Sequence, residues 1–112
     1  MRIWDLPLEM LCRNHLLGEH RELHAVWAIL TEGKKGYANH PETLRWKGKL
    51  RALYERHEAQ VKEMTRRGYR HQSPLDETLA TGEAEQKEYT DSPQEQRALL
   101  KKRGCGCRVR SR

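Results

Sequence analysis

The sequence predicts an all-α fold: a compact single domain of two long helices plus a short third helix, followed by a flexible basic C-terminal tail. Apolar residues return at spacings of three and four over two long stretches, the mark of helices that bury one face. Proline opens and glycine closes each stretch, Pro7 with Gly33 and Pro41 with Gly68, in the order that helix ends favour. A chain of 112 residues, 36% of them hydrophobic and none of them Phe, has material for one modest core and shows no duplication.

The first helix is expected from about Pro7 to Thr31, with Asp5 as N-cap candidate. Leu8, Leu11, Leu16, Leu23, Val26, Ile29 and Leu30 project into one arc. His15 and Glu22, seven residues apart, return to within roughly 20° of one direction at about 100° per residue. That direction falls in the apolar arc. Burial disfavours the charged form of a carboxylate, so an ionisable pair in such a stripe calls for a partner or a reaction. Because the helix starts so early, the N-terminus is tied close to the face that carries His15 and Glu22.

Residues 32–40, with Lys34 and Lys35 between two glycines, read as a basic loop. A second helix is expected from Pro41 to Arg67, where Trp46, Leu50, Leu53, Tyr54, Val61 and Met64 share an arc of about 100° with His57 among them. Along one flank run Arg45, Lys49, Arg56 and Arg67, interrupted by Glu63. Such a stripe is either a solvated face or a phosphate-contacting surface. From Ser73 onward apolar residues thin out, and a short third helix is expected from Pro93 to Lys102, N-capped by Ser92. The expected division is a helical core over 1–75, a polar linker with that helix over 76–102, and a basic tail with Cys105 and Cys107 over 103–112.

Lys and Arg number 22 against 16 Asp and Glu, a net charge of +6, which suits a polyanion such as nucleic acid without identifying one. No run approaches the ~18 apolar residues of a membrane span, and no leader precedes Asp5-Leu6-Pro7. A cytoplasmic protein without membrane contact is expected. The odd count of three cysteines, with Cys12 isolated, argues against a secreted disulfide framework.

A classical hydrolase is not supported, since no Ser, His and Asp trio has recognisable spacing and no Gly-rich phosphate loop is present. Neither metal nor cofactor is expected. His20 and His24 stand four apart with no carboxylate in place, and Cys105-x-Cys107 has no second ligand pair nearby in the sequence. Trp4, Trp27 and Trp46 are expected in the core rather than as base-stacking platforms.

The opening Met1-Arg2-Ile3-Trp4, the block His15-Leu16-Leu17-Gly18-Glu19-His20-Arg21-Glu22-Leu23, and Leu50-Arg51-Ala52-Leu53 running on to Arg66-Arg67-Gly68-Tyr69 together resemble the pyrimidine-dimer DNA glycosylases with abasic-site lyase activity. The resemblance covers about the first 75 residues. It implies a helical DNA-repair enzyme whose nucleophile is the α-amino group of its own N-terminus. That amine attacks C1′ of the damaged nucleotide, expels the base, forms an imine with the opened sugar and cuts the strand by β-elimination. Glu22 is then the essential carboxylate, while Arg2, Arg21 and His15 bind DNA or shape the site. Lys34, Lys35, Arg45 and Lys49 are the further basic residues expected to contact DNA.

Arg2 is too large for removal of the initiator Met, so Met1 is expected to be retained; counting back from His15 and Glu22 places it at the nucleophile position. An α-amine titrates near 7.7 to 8.0, against about 10.4 for Lys, so roughly a tenth or more is unprotonated at neutral pH. Gly18 leaves room for backbone or substrate. The expected partner is damaged double-stranded DNA, bound by a monomer that displaces a base to reach C1′. Two other readings stand beside this one: a non-catalytic helical DNA-binding protein on the same scaffold, and an adaptor with a redox or metal-binding tail at Cys105 and Cys107.

Overall fold

Among the described residues there are four helices, α1 (Arg13–Glu32), α2 (Pro41–Leu44), α3 (Leu50–Arg66) and α4 (Pro93–Arg103), with 3-10 turns at Leu8–Met10 and Glu77–Leu79. The computed structural model describes residues 2–36, 38–70, 73–103 and 106–107. No helix among them is long and apolar enough to cross a membrane.

The first expected helix starts later than its apolar pattern suggests. Ile3, Trp4, Leu6, Leu8 and Leu11 are all buried, too dense a set for one helix face but natural for an extended segment threaded through a core. Ile3 enters a cluster with Leu23, Val26, Trp27, Trp46, Ala52 and Leu53. Trp4 and Leu6 enter another with Leu8, Leu11, Leu16, Met64 and Leu100. Consecutive residues of an extended chain face opposite ways, so residues 3 and 4 feed two separate clusters. Leu11 and Cys12 remain extended, and α1 begins only at Arg13. Trp4, Trp27 and Trp46 are all core residues. At its other end α1 stops as expected at Gly33, left-handed with φ 69° and its N–H on the carbonyl of Ile29.

An irregular buried segment leaves backbone carbonyls to be satisfied, and the arginine stripe supplies the donors. Arg45 donates to the carbonyl of Ile3 at 2.8 Å, Arg56 to that of Leu6 at 3.0 Å, and Arg67 to that of Leu11 at 2.7 Å. The stripe is thus neither a solvated face nor a phosphate surface. Arg45 at the end of α2 and Arg56 and Arg67 on α3, these two about three helical turns apart, clamp the N-terminal segment.

The second expected helix is two helices. Gly48 takes φ 77°, which frees its carbonyl to accept from Glu83 at 3.0 Å. The first amides of α3 lack helical partners, and Arg51 and Ala52 donate theirs to the carbonyls of Thr81 and Glu83 at 2.8 and 3.0 Å. Gly68, at φ 83°, ends α3 as expected, with Tyr69 N–H bonded to Met64 and Gly68 N–H to Thr65, the paired bonds of a Schellman turn. Ser92 caps α4 as expected, exchanging hydrogen bonds with Glu95 at 3.1 Å each way, a capping box. Gln96 and Leu100 of α4 are buried, and the Gln96 amide pairs with Asp5 through its backbone N–H at 2.7 Å and its carboxylate at 2.9 Å.

Candidate active site

The α1 residues that turn fully inward are Leu16, Glu19, His20, Leu23, Val26 and Trp27. At about 100° per residue, Glu19 and His20 lie within about 60° of Leu16, whereas His15 and Glu22 lie about 100 to 120° away. His15 and Glu22 accordingly share the edge of the buried stripe, both half-buried. The carboxylate in the centre of the stripe is Glu19, which sequence reasoning passed over although it stands one turn before Glu22.

Glu19 is 1% exposed and accepts four hydrogen bonds. The Trp4 backbone N–H reaches it at 2.7 Å, Arg56 at 2.9 Å through both Nε and Nη2, and Gln60 through its amide nitrogen. A bidentate guanidinium pair with further donors is the arrangement that makes a buried carboxylate tolerable. One side chain thus joins the start of the chain, α1 and α3.

Met1 lies outside the described residues. Arg2 stacks over the Trp4 ring at 4.9 Å and pairs with Asp91 at 2.7 Å. Trp4 in turn meets the His15 ring edge-on, centroids 5.6 Å apart, so Arg2, Trp4 and His15 form one patch. Arg103 reaches the same patch, its guanidinium 5.7 Å from the Trp4 ring centroid and 3.4 Å from His15 Nε2. Burial and then the Arg103 charge push the His15 imidazole below its ordinary pKa. The Glu22 side chain, by contrast, makes no hydrogen bond or ion pair with another described residue.

The expected basic contacts divide in two. Arg21, Lys34 and Lys35 are exposed, and both lysines line a shallow cleft of about 480 Å³ with Leu30, Leu44 and Lys47. Arg45 and Lys49 are inside, 5% and 7% exposed. Besides Ile3, Arg45 engages Glu42, Asp5 at 3.0 Å and the Glu88 carbonyl at 2.9 Å. Lys49 is held by Gln86 at 2.9 Å and Glu88 at 3.1 Å. Burial pushes the Glu42 carboxyl above its ordinary range, against the pull of Arg45.

Among the described residues, two sets of metal-capable side chains converge from positions distant in the sequence. Cys107 approaches Cys12 and His15, with its Sγ 3.3 Å from His15 Nδ1 and Cys12 Sγ at 3.1 Å from the same atom. This supplies the second ligand pair that the sequence around Cys107 lacks; Cys105 lies outside the described residues. The other set is His20, His24 and His57.

A sequence profile described as pyrimidine dimer DNA glycosylase matches residues 1–77. No curated protein and no solved structure matches the chain. The matched span holds the N-terminal segment, α1, α2 and α3, and with them Glu19, Glu22 and all three clamping arginines.

Proposed function

The chain belongs to the pyrimidine dimer DNA glycosylase family, and from that premise we propose that it acts on damaged duplex DNA through the α-amino group of Met1 with Glu22 as the partner carboxylate, and that it is also an abasic-site lyase. The amine lone pair forms a bond to C1′ as the glycosidic bond breaks and the base leaves with the bonding electrons. Loss of the amine proton and opening of the sugar ring give an imine, and removal of a C2′ proton then expels the 3′ phosphate. Glu22 stabilises positive charge developing on the sugar and carries protons between these steps. Its carboxylate has no competing cation among the described residues, unlike that of Glu19, which Arg56 already neutralises.

The observation that carries this reading is the 2.7 Å hydrogen bond from Trp4 N–H to Glu19. It fixes the start of the chain against the middle of α1, one turn from Glu22. Three peptide units separate Met1 from Trp4, a reach of at most about 11 Å. Arg2, His15, Arg21, Lys34 and Lys35 are the proposed DNA contacts, from the Trp4 patch and the exposed surface. Arg45 and Lys49 are not among them, being committed to internal partners.

Borohydride reduction in the presence of abasic or ultraviolet-damaged duplex tests the proposal, since only an imine becomes a stable protein-DNA adduct. Native protein is expected to give the adduct. A short N-terminal extension is expected to abolish it while salt-dependent DNA binding persists. An adduct that survives the extension would move the nucleophile to a lysine, and binding without any adduct would favour the non-catalytic DNA-binding protein.

A further inference from the structure

Three imidazoles share one spot where α1 meets α3. His20 and His24, one turn apart on α1, hold their Nε2 atoms 3.2 Å from each other. His57 of α3 stacks on His20 with ring centroids 5.0 Å apart and meets His24 edge-on at 5.0 Å. One ring nitrogen of each lies within 4.8 Å of the other two.

The surroundings fix which nitrogen carries the proton in two of the three rings when these are neutral. Gln60 donates its amide nitrogen to Glu19, so its oxygen faces His20 and accepts from Nδ1 at 2.8 Å. His20 therefore presents a lone pair at Nε2. His57 Nδ1 lies 3.1 Å from a carboxylate oxygen of Glu58, which as an anion only accepts. Neutral His57 likewise presents its lone pair at Nε2. Two rings are thus held in the tautomer that ligates a metal, each with its other nitrogen on an oxygen acceptor, the outer-shell arrangement typical of metal-binding histidines. Two nitrogens bound to one tetrahedral zinc at about 2.0 to 2.1 Å stand roughly 3.3 Å apart, close to the observed 3.2 Å.

We propose that His20, His24 and His57 form a site for a divalent transition metal, zinc in the first instance, with three imidazole ligands and a fourth position left for water or an exogenous ligand. A neutral all-imidazole set suits zinc and its first-row neighbours rather than calcium or magnesium. The site ties α1 to α3. Through His20, Gln60 and Glu19 it also adjoins the hydrogen bond that holds Trp4. The proposal rests on this geometry and is independent of the lyase reading.

The test is zinc binding to the metal-stripped full-length protein, by competition with a chromophoric chelator and by thermal unfolding, with cobalt as an optical probe. One equivalent of zinc is expected to bind and raise Tm, and cobalt to give tetrahedral bands without thiolate charge transfer. His24→Ala, at the half-buried ring, is expected to weaken zinc binding by more than ~100-fold and to remove the Tm gain. Glu58→Ala, at an exposed carboxylate, should weaken it by ~10-fold through loss of ligand orientation. The Cys12→Ser, Cys107→Ser double variant should keep that equivalent. The proposal is overturned if zinc leaves Tm unchanged in the native protein, if folded His24→Ala binds zinc as tightly as native, or if a thiolate band assigns the ion to Cys12 and Cys107. Should His24→Ala fail to fold, the Glu58→Ala affinity and the cobalt spectrum decide.

Discussion

Arg67 donates from Nη2 to the carbonyl of Leu11 at 2.7 Å, across 56 positions of sequence, and the same nitrogen lies 3.2 Å from the carbonyl of Leu8. Its Nε meanwhile holds Glu63 at 2.6 Å. Where Leu11 and Cys12 leave helical geometry, this guanidinium takes the place that water would fill at the surface.

Arg67→Met is therefore expected to destabilise the protein by about 1 to 3 kcal/mol, since it strands the Leu11 carbonyl without a donor, whereas that of Leu8 keeps the Leu11 N–H at 3.1 Å. Arg66 pairs with the same Glu63 at 2.5 Å but is 65% exposed, and Arg66→Met should cost less than about 1 kcal/mol. Urea unfolding of the two variants measures the contrast.

The two glutamates of α1 should separate stability from activity. Glu19→Ala removes the carboxylate that neutralises Arg56 and holds the Trp4 amide, and is expected to cost about 3 to 5 kcal/mol. Glu22→Gln should leave stability within about 0.5 kcal/mol and lower turnover on damaged duplex by about 10²-fold or more. Denaturation curves and strand-cleavage assays on both variants check this. Loss of activity without loss of stability in the Glu19 variant would reverse the assignment.

Glycine substitutions should have opposite signs at two positions. Gly82 takes φ 84°, and a Cβ there would collide with the carbonyl of Gly48, so Gly82→Ala should destabilise by about 1 to 3 kcal/mol. Gly18 is helical with open space around the position of a Cβ. Gly18→Ala should stabilise by about 0.5 to 1 kcal/mol. Paired thermal melts measure both.

Stability should fall in acid with a slope traceable to Glu63. The hydrogen bond from Arg66 holds its carboxyl at about 2, below the ordinary 4.5, with burial opposing and Arg67 assisting. A carboxyl with a depressed folded pKa contributes stability that is complete above its unfolded value and lost as pH falls through the folded one. The loss attributable to Glu63 should thus run from about pH 4.5 down to about 2, and Glu63→Gln should flatten that part of the profile. Unfolding free energies taken at several pH values test it.

Helix ends were legible because their chemistry is local: Gly33, Gly68 and Ser92 act where the sequence puts them. The break before α3 had a local sign too, Gly48 inside an otherwise helical pattern. The buried N-terminal segment was not legible, because an apolar run that begins a helix and one that threads a core look alike until the partners of their carbonyls are known. For the same reason the arginine stripe gave away its common face but not that the face meets backbone. Glu19 and Glu22 differ by one turn, and only the packing of α3 decides which of them is central. Cys12 and Cys107 are separated by almost the whole chain, so nothing local announces their meeting.

Asp5 meets Gln96 91 positions later, so the N-terminal segment waits for α4 before its surroundings are complete. A nascent chain that has emerged only through α3 still lacks one wall around its own beginning. The order of synthesis thereby postpones the packing of that segment until α4 has left the ribosome.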